Sequence, residues 1–361
     1  MRRSLPLVLL VVSLSAPSAL GARHRAVGSP TRFDVPAAAV AANAALAEGA
    51  PGIIIAVRHH GNTYVNAWGF LDKEAGTPMR WDAVLPLASV SKQFAAAAIM
   101  RLVDEERVRV ADPVRMYLPE LDARYERVTI EHLLTHTSGI PDYDTQLTDF
   151  YTPMTEAQMV AVITEKPLEF TPGSSWAYTN SGFYLLAMIV ERVTGRNYHQ
   201  WLEETFFARL GLTDTSECDS ATPDGYFRNP FDSSVGKIRP IDTTLLLGAG
   251  ALCSTTLDLL QWNQALAGGV AVSPSSYAAM HADLRLSSGQ TLPYGYGLAT
   301  DSLDGKYPRV WHNGLVPGYE SHLGWYPTLD LSIAVLTNIS TGRRDYASEA
   351  ANAIARELAR P

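Results

Sequence analysis

Leu87-Ala88-Ser89-Val90-Ser91-Lys92-Gln93-Phe94 opens a long apolar run that continues to Asp104. A serine and a lysine three residues apart share a face if the run is helical, so the amine can reach the hydroxyl. The pattern alone is common: with lysine this scarce, chance supplies Ser-x-x-Lys in roughly one such chain in three. A second copy, Ser234 to Lys237, is indeed present. Context separates the two. Val90, Phe94, Ala95 to Ala98, Ile99, Met100, Leu102 and Val103 cover most of the circumference of a helix over 89–107, and a helix apolar nearly all round is buried. A serine at its start lies among unpaired N–H groups at the positive end of the dipole. Burial also favours the neutral form of Lys92, as a general base requires. Ser234 and Lys237 flank Gly236 between Pro230 and Pro240, which reads as a loop with no helix to fix the spacing.

Working outward, the chain has 361 residues, enough for a full core. Hydrophobic content of 47% against 18% charged is that of a globular protein and excludes general disorder. The formal charge of -8, without a basic patch, excludes nucleic acid and anionic membrane surfaces as expected partners. Arg2 and Arg3, the apolar run Leu5 to Leu14 and the small residues up to Ala22 read as a cleavable signal peptide over residues 1–22. No later stretch is long enough to span a bilayer. The expectation is a periplasmic or secreted protein with one catalytic domain over residues 23–361. Two cysteines, Cys218 and Cys253, are candidates for a structural disulfide in such a compartment.

Asp34 and Pro36 start an alanine-rich helix that Gly49 and Pro51 end. Ile53 to His59 and Thr63 to Phe70 then read as strands around a Gly61-Asn62 turn. From Asp112 to Leu284 the pattern is mainly helical. Strands return at Tyr294 to Ala299, Val310 to His312, Tyr319 to Tyr326 and Leu331 to Asn338, before a last helix over Arg343 to Leu358. The predicted fold class is therefore α+β: an antiparallel sheet built from both chain ends (about 34–88 and 285–361) and flanked by helices. A mainly helical lobe, about 89–284, is inserted between.

Two further segments carry chemistry. Tyr178-Thr179-Asn180 lies between a Pro-Gly loop and a helix start; its phenol suits proton transfer, and its amide can hold an amide-like substrate. Trp311-His312-Asn313-Gly314 enters a strand whose glycine allows a close backbone approach. His312, as an imidazolium, suits a substrate carboxylate. Two other patterns are discounted. His132 and His136 lack a His-Glu-x-x-His order, so no metal is expected, and Tyr294-Gly295-Tyr296-Gly297 has no helix after it to cradle a phosphate.

Ser89 to Lys92, Tyr178 to Asn180 and His312 to Gly314, in that order, resemble the three motifs of the class C β-lactamases and their relatives. Those relatives include serine DD-carboxypeptidases, D-aminopeptidases and β-lactamase-like esterases. Ile130 to Pro141 and Ser254 to Leu259 are also similar to that family, and the resemblance runs over residues 34 to 358. It implies a cofactor-free serine hydrolase acting on a small-molecule or peptide substrate. Ser89 would be the nucleophile, with Lys92 and Tyr178 sharing the proton and Asn180 orienting the substrate. The N–H groups of Ser89 and Leu315 would form the oxyanion hole. His312, Asn313 and Gly314 complete the expected substrate site, with Tyr143 as a further lining residue. The third motif departs from the Lys-Thr-Gly of true class C enzymes, which removes a permanent cation, argues against efficient β-lactam hydrolysis and leaves peptidase or esterase action open; the first expectation is a peptidase or carboxypeptidase. An esterase, or a non-catalytic sensor of cell-wall peptide or β-lactam, is the alternative.

Overall fold

Ile53-Ile54-Ile55-Ala56-Val57 has no polar face because it is buried on both sides. The computed structural model describes residues 34–47, 50–229, 231–232, 234–341 and 344–360; the expected signal peptide lies outside them. The apolar run forms β1 (Gly52–His59), which pairs on one side with β2 (Asn62–Asp72), followed by the short β3 (Thr77–Pro78). On the other side it pairs with a strand from the far end of the chain. The C-terminal strands are β4 (Val310–Val316), β5 (Tyr319–Tyr326) and β6 (Leu331–Thr337). The sheet order is β4-β5-β6-β1-β2-β3, antiparallel throughout, with Ile53 opposite Thr337 where the two chain ends meet.

Alternation along β1 divides the interior in two. Ile53, Ile55 and Val57 pack with α1 (Pro36–Ala47) and α6 (Tyr346–Leu358) on one face. Ile54 and Ala56 join the larger core on the other face, with α2 (Ser91–Asp104), α4 (Asn180–Thr194) and α5 (Thr256–Ala267). Every residue of α2 from Ser91 to Met100 is buried, as its all-round apolarity requires. The short α3 (Ile130–Leu134) is capped by Thr129, whose hydroxyl accepts from the His132 N–H while the His132 ring accepts from the Thr129 N–H. That reciprocal cap gives His132 a structural use.

Several expected boundaries move. Tyr294 to Ala299 is no strand but a tight turn closed by a Tyr294–Ala299 bridge. Gly297 sits in it at φ +67°, where an added Cβ would lie 2.9 Å from the Lys92 carbonyl oxygen. Lys237, expected in a loop, lies on a short strand (Val235–Ile238) and forms an ion pair with Asp72 at 2.8 Å. The last helix starts at Tyr346. Its N-terminus is held by Glu320 of β5, which is fully buried and accepts from the Tyr346 N–H at 2.7 Å through one oxygen. The other oxygen is buried with no hydrogen-bond partner in reach among the described residues, and burial, then Asp345, pushes this carboxyl up to about 8 against the backbone N–H groups of Tyr346, Ala347 and Thr341.

Cys218 and Cys253 are joined in a disulfide, with 4.9 Å between their Cα atoms. Cys253 lies on the strand Leu252–Ser254, which pairs with Leu85–Pro86. Leu85–Pro86 in turn leads into Ser89, so the crosslink braces the strand that delivers the serine.

Candidate active site

Ser89 does not begin the α-helix, as its sequence suggests; it lies in a 3₁₀ turn, Ala88–Val90, that runs directly into α2. Ala88 enters the turn at φ +46°. A left-handed conformation at a residue with a Cβ is strained by about 1 kcal/mol or more, and it persists only where the surroundings over-determine it. Here the Leu87 N–H donates to the Leu252 carbonyl at 2.8 Å, and the Leu87 carbonyl accepts from the Val90 N–H and the Ser321 hydroxyl. The chain is pinned on both sides of the kink.

Three helical starts bring the side chains together. Lys92, one residue into α2, is fully buried, and its Nζ lies 3.0 Å from Ser89 Oγ, 2.6 Å from Asn180 Oδ1 and 2.9 Å from the Ala249 carbonyl. Tyr178, just before α4, donates its hydroxyl to Ser89 Oγ at 2.8 Å. Burial pushes Lys92 down to about 7, against the opposing pull of Asp142 and Asp144. A neutral amine has two N–H groups and one lone pair. Asn180 Oδ1 and the Ala249 carbonyl take the two N–H groups, which leaves the lone pair facing Ser89. Burial raises the Tyr178 phenol above its ordinary value, countered by its bond to Ser89, so Tyr178 is a proton donor at neutral pH.

Edge strand β4 closes the other side. Trp311 exchanges both backbone bonds with Ala299, on the edge away from β5. With a period of two, the Leu315 N–H points to the same open edge. Gly314 abuts the nucleophile turn: an added Cβ would meet the Leu87 carbonyl oxygen at 2.2 Å and the Ser89 nitrogen at 2.9 Å. No other residue type fits there, and the Ser89 and Leu315 N–H groups are thereby brought near each other.

The rest of the third motif departs from expectation. His312 is buried; its Nδ1 binds the Asn313 carbonyl at 2.5 Å and its Nε2 binds Tyr294 Oη at 3.1 Å. Burial, then the nearby Lys92 charge, pushes it down to about 4. It is a neutral internal group, not a cation facing the substrate. Asn313 lies on the opposite face of the sheet and donates its amide to Asp345 at 2.7 Å. Tyr143 does not line the cleft. It is fully buried, with its ring 6.2 Å from that of Tyr184.

Two groups not expected in the site fill these places. His136 and Tyr294 complete a buried chain: the Thr179 N–H donates to His136 Nδ1, and His136 Nε2 binds Tyr294 Oη, which binds His312 Nε2. With the His312 Nδ1–H donating to Asn313, each bond in the chain has a single direction, from the second motif to the third. His136 stands between Thr135 and Thr137, and nothing in its neighbours marks it as part of this chain. The other group is Asp142 and Asp144, the residues flanking Tyr143. Asn180 Nδ2 donates to Asp144 at 2.9 Å and, more weakly, to Asp142 at 3.4 Å. Burial, then Asp142, pushes Asp144 up to about 6. A cleft of ≈ 240 Å³ opens over Ser89, with Asp144 and Asn180 on one wall and Phe150, Ile241, Leu246 and Leu315 around it.

A sheet closed by both chain ends, with a serine, a lysine and a tyrosine at helix starts beside its edge strand, defines an α+β serine hydrolase. The family profile described as Beta-lactamase matches residues 37–356, and the chain belongs to that family. Penicillin-binding protein 4* of Bacillus subtilis (strain 168) is 27% identical over 307 residues, 80% of this chain and 68% of the relative. A D-aminopeptidase of Brucella anthropi is 27% identical over 316 residues, 84% of this chain but only 59% of the relative. The structure of a D-amino acid amidase from Ochrobactrum anthropi SV3, complexed with L-phenylalanine amide, superposes with a TM-score of 0.80 at 23% identity. It covers 89% of this chain and 97% of the amidase, and shows the shared fold.

Proposed function

We propose that the protein hydrolyses an amide or ester through an acyl-enzyme on Ser89. The observation that carries the reading is the convergence of Lys92 Nζ and Tyr178 Oη on Ser89 Oγ, at 3.0 and 2.8 Å. The Lys92 lone pair takes the hydroxyl proton as Ser89 Oγ bonds to the substrate carbonyl carbon. The carbonyl oxygen becomes an oxyanion facing the Ser89 and Leu315 N–H groups, each such donor being worth roughly 3 kcal/mol. As the tetrahedral species collapses, the carbon–nitrogen or carbon–oxygen bond breaks. Tyr178 gives its proton to the leaving group, and the phenolate takes a proton back from the neighbouring Lys92 ammonium, whose Nζ lies 4.9 Å from the Tyr178 ring centre, which returns Lys92 to its neutral form. Water then adds to the acyl-enzyme, its proton passing by the same groups, and releases the acid with Ser89 restored. Incubation with a fluorophosphonate should add its covalent mass to the intact protein. That mass persisting in Ser89→Ala would refute the assignment.

The protein is further proposed to act after export. The basic, apolar and small-residue sequence of residues 1–22 supports this, as does a disulfide suited to an oxidising compartment. N-terminal sequencing of the mature chain should begin near residue 23; a mature chain beginning at Met1 would overturn it.

A further inference from the structure

We propose that Asp144 binds a free ammonium group on the acyl half of the substrate, so that the cleft selects α-amino amides and esters with an apolar side chain over their N-acylated counterparts. The inference rests on Ser89 being the acylated residue. It starts from how Asn180 is used. Its Oδ1 accepts from Lys92 at 2.6 Å, and this fixes the amide so that Nδ2 points the other way, to Asp144 at 2.9 Å. The donor that would meet the carbonyl of an acylamido substituent is therefore already engaged. What stands in its place on the cleft wall is a carboxylate oxygen, an acceptor. An acylamido carbonyl entering there would displace Asn180 and face a negative charge. An ammonium presents donors and a positive charge to the same position.

Three other observations agree. Asp144 Oδ1 has no hydrogen-bond donor from the protein among the described residues, and Asp144 lines the cleft with Ser89. Asp144 is also tied to the nucleophile: it holds Asn180, which holds Lys92, which meets Ser89, by successive bonds of 2.9, 2.6 and 3.0 Å, and Asp144, Asn180 and Ser89 line the same cleft. Finally, no lysine, arginine or histidine among the described residues lines the cleft, and His312 is turned inward on Tyr294 and Asn313. A substrate carboxylate meets no cationic side chain on the cleft wall, whereas an ammonium meets a carboxylate. The remaining wall, with Phe150, Ile241, Leu246 and Leu315, suits an apolar side chain.

The test compares phenylalanine p-nitroanilide with N-acetylphenylalanine p-nitroanilide, each as both enantiomers, on the full chain. A parallel arm measures how well phenylalaninamide and its N-acetyl derivative slow fluorophosphonate labelling of Ser89. The free amine should win by at least tenfold in kcat/KM, or in the concentration that halves labelling. Asp144→Asn should bring that ratio close to one, and Asp144→Glu should keep part of it. Removing the carboxylate also alters Lys92, but that change acts on both substrates alike, so the ratio isolates the contact. A wild-type ratio near one, or one unchanged in Asp144→Asn, overturns the proposal while labelling of Ser89 upholds the acyl-enzyme. Absence of labelling at Ser89 overturns both.

Discussion

A buried lysine with three polar neighbours has to choose which of them receives its lone pair, and at Lys92 the choice is made by elimination. Asn180 Oδ1 and the Ala249 carbonyl only accept, so Ser89 is the one partner able to donate. Because Lys92 is lowered to about 7, kcat/KM on a neutral ester should rise about tenfold per pH unit below 7 and level off above it. A profile flat down to pH 5 would remove Lys92 as the base. Replacing Lys92 by Met should cost roughly 10²- to 10⁴-fold in acylation rate, read from the kinetics of labelling. His312 is expected to behave differently from an imidazolium anchor. Being lowered to about 4, it carries no charge to lose, so KM for an N-acylated substrate that bears a carboxylate should not climb above pH 7. A KM that climbs above pH 7 would restore the cationic role.

Helix starts and one strand edge do the positioning, and they also explain what could be read in advance. Ser89, Lys92 and Tyr178 were legible because each sits where punctuation meets an apolar helical pattern. Asn313 was misassigned because strand alternation was not applied to it: if Gly314 faces the serine, its neighbour must face away. The kink at Ala88 and the inward turn of His312 depend on contacts with Leu252 and Tyr294, more than 150 and nearly 20 residues distant, which no local pattern encodes. Glu320 at the start of α6 was invisible for the same reason. An unfolded glutamate releases its proton near 4.5, whereas folded Glu320 holds it to about 8. Over that window the folded state keeps a proton the unfolded state has lost, so this group's contribution to stability falls as pH rises. Glu320→Gln abolishes that loss. Its Tm relative to wild type should therefore climb between pH 5 and 8, by something on the order of 5 °C. A pH-independent difference would mean that Glu320 titrates normally.

For the molecule as a whole, the disulfide closes a loop across a sequence separation of 35, for which the loop-closure relation gives about 4 kcal/mol. Cys218→Ala with Cys253→Ala should lower stability by about 2–4 kcal/mol in denaturant titrations. Labelling of Ser89 in the double variant should be lost at lower denaturant than the global transition, because the brace acts on the strand leading to Ala88. Coincident loss would assign the bond a global role only. The α+β class and the joining of both chain ends in one sheet were readable from where the strand patterns fell. The strand order was not, since pairing partners leave no mark in either strand. That order has a consequence in time. A ribosome releases β1 long before β6, and until Thr337 arrives the run Ile53 to Val57 has lost one of its two flanking strands. A β-branched, uncharged segment waiting in that state is an aggregation hazard. The yield of this protein is thus set by whatever shields five residues near its beginning while the last strand of the sheet is still being made.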